Sequence, residues 1–117
     1  MKLPKISKAE LFKILDPKNK KTLHPGEVLQ KIFNFLDINY KDVALRMQVW
    51  PLYLHEIIEK LRDIGEEDDK QLSKIMGIPK GFLVGMQAEY DEFKHKEHKL
   101  WLTKYQEFKK NRIKTKL

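Results

Sequence analysis

Asn39-Tyr40-Lys41-Asp42-Val43-Ala44-Leu45-Arg46-Met47-Gln48-Val49-Trp50-Pro51-Leu52-Tyr53-Leu54-His55-Glu56-Ile57-Ile58-Glu59-Lys60 is the stretch on which the fold turns. Asn39 followed by Asp42 reads as a helix cap, because a short polar side chain at that place satisfies an amide of the first turn. The helix it opens is expected from Tyr40 to about Gln48, with Val43, Ala44 and Met47 facing inward. After a break of one or two residues Pro51 opens a second helix through about Lys60, since proline at the first helical position loses no hydrogen bond. Leu54, Ile57, Ile58 and Leu61 are expected to form its core face.

On the N-terminal side, Ser7 and Glu10 have the spacing of a capping box for a helix through Leu15. Asp16-Pro17 stops it, and Pro17–Thr22 reads as a lysine-rich loop. His24-Pro25-Gly26-Glu27 opens the next helix, whose apolar face is Val28, Leu29, Ile32, Phe33 and Leu36. On the C-terminal side, Gly65 and Glu66-Glu67-Asp68-Asp69 start a helix carrying Leu72, Ile75 and Met76, with Gly77 as its C-cap. From about Lys80 a helical pattern runs without proline to near Lys110. Phe82, Met86, Tyr90, Phe93, Leu100, Trp101, Tyr105 and Phe108 fall in one broad arc of it. No segment shows the alternation of a strand, so the fold class is all-α.

The chain has 117 residues, 41% hydrophobic and 35% charged, with a net charge of +7. That suits a single globular domain flanked by basic ends. Segments 1–22 (a basic lead with the short helix), 23–93 (the helical domain) and 94–117 (a basic extension and tail) divide the charge. Lysine dominates both ends, while the middle carries thirteen acidic and eight basic residues, or −5. There are no cysteines, which excludes disulfides and thiol chemistry. With no long apolar run and no signal-peptide pattern, a cytoplasmic protein that does not enter the membrane is expected.

Two short adjacent helices in an all-helical chain suggest a helix-turn-helix. His24-Pro25-Gly26-Glu27-Val28-Leu29, then Asn39, Asp42 and Ala44, then Val49, Ile57 and Ile58, then Ile64, Leu72, Gly77 and Phe82, and finally Gln87-Ala88-x-Tyr90-Asp91 follow one another without a gap. In this pattern the span from His24 to Asp91 resembles the HigA/VapI-type antitoxins, a branch of the XRE-like helix-turn-helix regulators. The resemblance implies a five-helix, lambda-repressor-like domain, here with a short added N-terminal helix and a long amphipathic C-terminal one. It also implies a homodimer, a toxin protein as partner, and repression of the shared operon. The family's recognition helix usually starts Ser-Arg-Ser/Thr-like. Here that stretch is Trp50-Pro51-Leu52-Tyr53, its later basic or polar position is Glu56, and no Arg or Lys lies between Val49 and Glu59. Base readout depends on such donors, and Glu66 to Asp69 would repel a nearby backbone. DNA binding is therefore expected to be weak or non-specific, through Lys60 and Arg62, with Lys41, Arg46 and Tyr53 beside them.

Trp50, Leu52 and Tyr53 form a candidate partner-binding patch, unless they fold back on the Ser7–Leu15 helix. An alternative function follows: a helix-turn-helix fold reused as a protein–protein module. Leu100, Trp101, Tyr105 and Phe108 are candidates for a dimer or toxin contact. The basic ends either grip phosphate or are simply solvated. Glu92, His95 and His98 have spacings used by metal sites, but without the further carboxylates such a site needs they read as surface residues. No nucleophile motif or phosphate loop is present, so neither a cofactor nor enzymatic activity is expected.

Overall fold

The computed structural model describes residues 3–15 and 22–115, with side chains to residue 110, and contains six helices and no strands among them. These are α1 (Lys8–Leu15), α2 (Pro25–Leu36), α3 (Tyr40–Met47), α4 (Pro51–Ile58), α5 (Glu66–Met76) and α6 (Phe82–Thr115). The all-α expectation holds. The Asp16-Pro17 stop and all of the Pro17–Thr22 loop except Thr22 lie outside the described residues.

Local capping chemistry starts each early helix. Ser7 and Glu10 exchange both bonds of a capping box: the Ser7 N–H donates to Glu10 Oε1 (3.1 Å) and the Glu10 N–H to Ser7 Oγ (3.2 Å). The Lys41 N–H donates to Asn39 Oδ1 at 2.9 Å. Gly77, at φ +77°, closes α5. The connection between α3 and α4 is three residues, Gln48-Val49-Trp50, and Gln48 holds a left-handed conformation (φ 60°). An L-residue there costs roughly 1–2 kcal/mol.

The core is the expected set. Val28, Leu29, Ile32 and Phe33 of α2 meet Val43, Ala44 and Met47 of α3, Leu54, Ile57 and Ile58 of α4, and Leu72 and Met76 of α5. Ile6 and Leu11 close it from the N-terminal side, and the Ile6 N–H donates to the Met76 carbonyl at 2.8 Å. Leu61 is a correction: it is 76% exposed rather than on the core face of α4. The helix ends at Ile58, and Lys60 at φ 64° turns the chain away before Leu61 can follow the apolar stripe.

One approach between α2 and α4 is closer than side chains allow. A Cβ built on Gly26 would lie 1.9 Å from the Ile57 carbonyl oxygen, and backbone atoms of Ile57 and Ile58 complete the contact. Only a residue without a side chain lets the first turn of α2 rest on the last turn of α4. Next to it, His24 is the N-cap of α2: its Nδ1 accepts the Gly26 N–H at 2.9 Å. That bond makes Nε2 the protonated nitrogen of the neutral ring. The side chain is 1% exposed, Nε2 has no hydrogen-bond partner, and the ring stands edge-on to Tyr90 at 4.9 Å.

α6 dominates the outline of the molecule, which measures 72 × 32 × 22 Å. Its 34 residues span about 51 Å at 1.5 Å each. Leu83 and Gln87 are buried, but every residue from Asp91 to Lys110 is exposed.

Two outcomes follow. Gly26→Ala should destabilise the fold by about 2 kcal/mol or more, because the obstacle is backbone and cannot rotate away. Gly85→Ala, on α6 with open space at the Cβ position, should raise stability by about 0.5–1 kcal/mol. Urea denaturation of both variants decides this, and equal midpoints would refute the contact. Secondly, burial holds the His24 pKa below its usual 6.5, against the opposing pull of Asp63, Glu27 and Asp91. Its neutral-ring contribution to stability is complete above about pH 6.5, where the unfolded chain is also unprotonated. It is lost as pH falls from 6.5 toward the lowered native value, because there the unfolded state binds the proton first. His24→Asn retains a capping acceptor and should flatten that slope, measured as denaturation midpoints between pH 7.5 and 5.5.

Candidate functional site

The amino-terminal half of α4 and the loop after it gather most of the residues singled out from sequence. Trp50 is the N-cap residue of α4, held extended ahead of Pro51, and makes no side-chain cap. It is 81% exposed and Leu52 is 65% exposed. Folding back on α1 is thereby corrected, since α1 packs on α2 and leaves Trp50 uncovered. Trp50, Pro51, Leu52, Tyr53, Glu56 and Arg62 line one open, mainly apolar groove.

Tyr53 stands between this groove and the core. Its hydroxyl donates to Asp68 Oδ2 at 2.7 Å, and the Arg62 guanidinium sits 4.8 Å from its ring centre. Burial, then the bond to Asp68 and the charge on that carboxylate, push the Tyr53 pKa up to about 12. The hydroxyl is thus engaged within the fold, tying α4 to α5.

Asp68 and Asp69 correct the reading of the acidic run as a repulsive surface. Asp68 accepts from Tyr53 and from the Gly65 N–H (3.0 Å). Asp69, 3% exposed, accepts the N–H groups of Gly81 (2.7 Å), Leu83 (2.9 Å) and Val84 (3.2 Å). A side chain of α5 therefore caps α6, satisfying amides that its first turn cannot satisfy internally. Only Glu66 and Glu67 of the run remain exposed. Sequence spacing gives no hint of this, because the capped helix starts thirteen residues later.

The basic candidates are spread around this region. Lys60 Nζ lies 3.4 Å from Glu27 Oε1, and Arg62 lies 3.4 Å from Glu56 Oε2. Both pairs are solvent-accessible, a setting in which ion pairs contribute little to stability. Lys41 and Arg46 are exposed on α3, and Arg46 shares a groove with Lys5, Gln71 and Lys74. His55, which has no evident partner in the sequence, lies against the Tyr40 ring at 5.4 Å. Gln87 of the closing motif joins α6 to the loop before α5. Its Oε1 accepts the Ile64 N–H (3.0 Å), while Nε2 donates to Asp91 (2.9 Å) and Asp63 (3.3 Å).

Along the exposed part of α6, the His98 and Trp101 rings are within 15° of parallel at 6.2 Å, and Trp101 and Tyr105 within 8° at 5.4 Å. Among the described residues no three His, Cys, Asp or Glu side chains are placed to hold a metal ion, and no helix is long and apolar enough to cross a membrane.

The chain is similar to a solved structure. That structure is a candidate antidote protein of a plasmid maintenance system from Nostoc punctiforme, 28% identical, with a TM-score of 0.60. The match covers 71% of this chain and 96% of that one. No family model and no curated protein matches the chain. The similarity is thus to an antidote-type protein as nearly its whole length, with part of this chain lying outside the match.

The geometry separates two neighbours on α4. Trp50→Ala should change stability by no more than about 0.5 kcal/mol, as for other exposed positions. Tyr53→Phe should cost about 1.5–3 kcal/mol, the net worth of a hydrogen bond to a charged acceptor. Urea midpoints of the two variants, compared with the parent, measure the difference. A larger loss for Trp50→Ala than for Tyr53→Phe would contradict the placement of these side chains.

Proposed function

We propose that the protein is a HigA-like antitoxin: a dimeric, non-enzymatic helix-turn-helix protein of the cytoplasm that neutralises a toxin protein and contacts its operator weakly. The observation that carries this reading is the similarity to the Nostoc punctiforme antidote candidate over 96% of that protein's length. The two eight-residue helices α3 and α4 with their three-residue connection support a helix-turn-helix assignment. In that assignment α4 is the recognition helix. Its leading residues are Trp50, Pro51 and Leu52, which offer apolar surface in place of the donors that base edges require.

Phosphate contact then falls to Lys60 and Arg62, whose half-buried partners Glu27 and Glu56 are exchanged for phosphate oxygens, with Lys41 and Arg46 on the flank. Such contacts position a protein without reading sequence. The exposed Trp50 and Leu52 favour a second reading that is compatible with the first, in which α4 docks a protein. Trp is a preferred anchor of such contacts.

Co-expression with the product of the adjacent gene tests the antitoxin reading. Growth arrest by that product alone, relieved by this chain, is the expected result; no arrest or no relief would overturn it. Fluorescence anisotropy on the chain's own upstream DNA and a scrambled duplex tests the interface. Similar affinities for both, falling steeply with salt and reduced by Lys60→Glu with Arg62→Glu, are expected. Unchanged affinity in the double variant would exclude that surface, and a strong preference for the upstream duplex at physiological salt would show that α4 reads sequence after all.

A further inference from the structure

We propose that the overhanging part of α6 is a binding surface for single-stranded nucleic acid, with its lysines on phosphates and Trp101, Tyr105 and Phe108 as a platform for stacked bases. This goes beyond the antitoxin reading and does not depend on it. It replaces the protein-contact role that sequence suggests for Leu100, Trp101, Tyr105 and Phe108.

At 100° per residue, Trp101, Tyr105 and Phe108 continue the side of α6 that carries Leu83, Gln87 and Tyr90 where the helix is seated on the domain. Beyond Tyr90 none of the described residues covers that side, and the three rings are 58%, 49% and 62% exposed. The rings of His98, Trp101 and Tyr105 are already near-parallel along the helix, so stacking a base on them requires little further ordering of side chains.

Charge decides what covers them. Between residues 94 and 110 there are six lysines and two glutamates. Lys94 pairs with Glu97 (3.6 Å) and Lys96 with Glu92 (3.2 Å). Lys99, Lys104, Lys109 and Lys110 have no carboxylate partner among the described residues. Lys104 and Lys109 flank the aromatic side by helical spacing. The cores of protein interfaces are depleted in lysine, and a second copy of this helix would bring like charge to like charge. A lipid surface requires apolar and charged residues on separate faces, but here they interleave. Rings alternating with unpaired cations are what a single strand uses, because every base has a stacking face and every nucleotide a phosphate.

The test uses the full chain with Trp50→Phe, so that Trp101 is the only tryptophan. Poly(dT), poly(U) and a mixed-sequence duplex are titrated while Trp101 emission is followed. Both single strands are expected to quench it, with poly(dT) and poly(U) separating DNA from RNA preference. The two unpaired lysines that flank the rings, Lys104 and Lys109, predict that affinity falls about sevenfold between 50 and 200 mM salt, at a slope of about 0.7 per phosphate contact. Trp101→Ala with Tyr105→Ala should weaken binding at least about tenfold, read by anisotropy of labelled poly(dT), with circular dichroism unchanged because both side chains are exposed. Absence of binding would overturn the proposal. So would binding of the duplex as tightly as the single strands without quenching, which would mean phosphate contact alone. A blue shift of Trp101 that grows with protein concentration, together with a doubled mass in sedimentation, would overturn it in favour of a second copy on the same rings.

Discussion

The backbone contact between Gly26 and Ile57 sets the distance between α2 and α4, and most of the remaining structure is arranged around that distance. With no side chain between them, the two helices bring Val28, Leu29 and Ile32 close enough to share a core with Leu54 and Ile57. The same closeness buries the His24 cap and leaves it facing Tyr90 of α6. From α4 the constraint passes to α5 through Tyr53 and Asp68, and from α5 to α6 through Asp69. An interior packed as densely as a crystal cannot absorb an added methyl at the start of such a chain.

Features decided within one turn were legible in the sequence. Ser7 with Glu10, Asn39, Pro25, Pro51 and Gly77 do what their types and spacings say, and the apolar faces of α2 and α3 follow from periodicity alone. Features decided across the fold were not. His24 marks a helix start in the sequence, but its ring packs against Tyr90 of α6, some sixty residues on. Asp68 and Asp69 look like solvated charges because their partners are a tyrosine fifteen residues earlier and amides twelve to fifteen residues later. Leu61 fits the apolar stripe of α4, and only the left-handed turn at Lys60 removes it. Among the candidate contact residues, identity was legible and surroundings were not. Trp50 was equally compatible with a core or a patch, and only the packing of α1 on α2 leaves it in solvent.

The opening and closing motifs of the antitoxin-like pattern meet in space. His24 touches Tyr90, and Gln87 binds the backbone of Ile64, so the ends of the span close on one another. This explains why a pattern of mostly structural residues speaks more strongly for a fold than for an activity. What distinguishes this chain within such a fold is the distribution of charge and rings: apolar surface at the head of α4, an acidic middle, and cations interleaved with aromatics on α6. The surface at the head of α4 and the surface of the α6 overhang occupy different elements, so substitutions on one leave the other intact.

The seating of α6 has a mechanical consequence. Asp69, Gln87 and Tyr90 clamp only its first turns, and from Asp91 to Lys110 the helix extends as a beam about 30 Å long fixed at one end. A tilt of about 10° at the clamp carries the tip through roughly 5 Å, whereas the same rotation within the domain moves core atoms far less. Small rearrangements near His24 and Tyr90 are therefore magnified at Phe108.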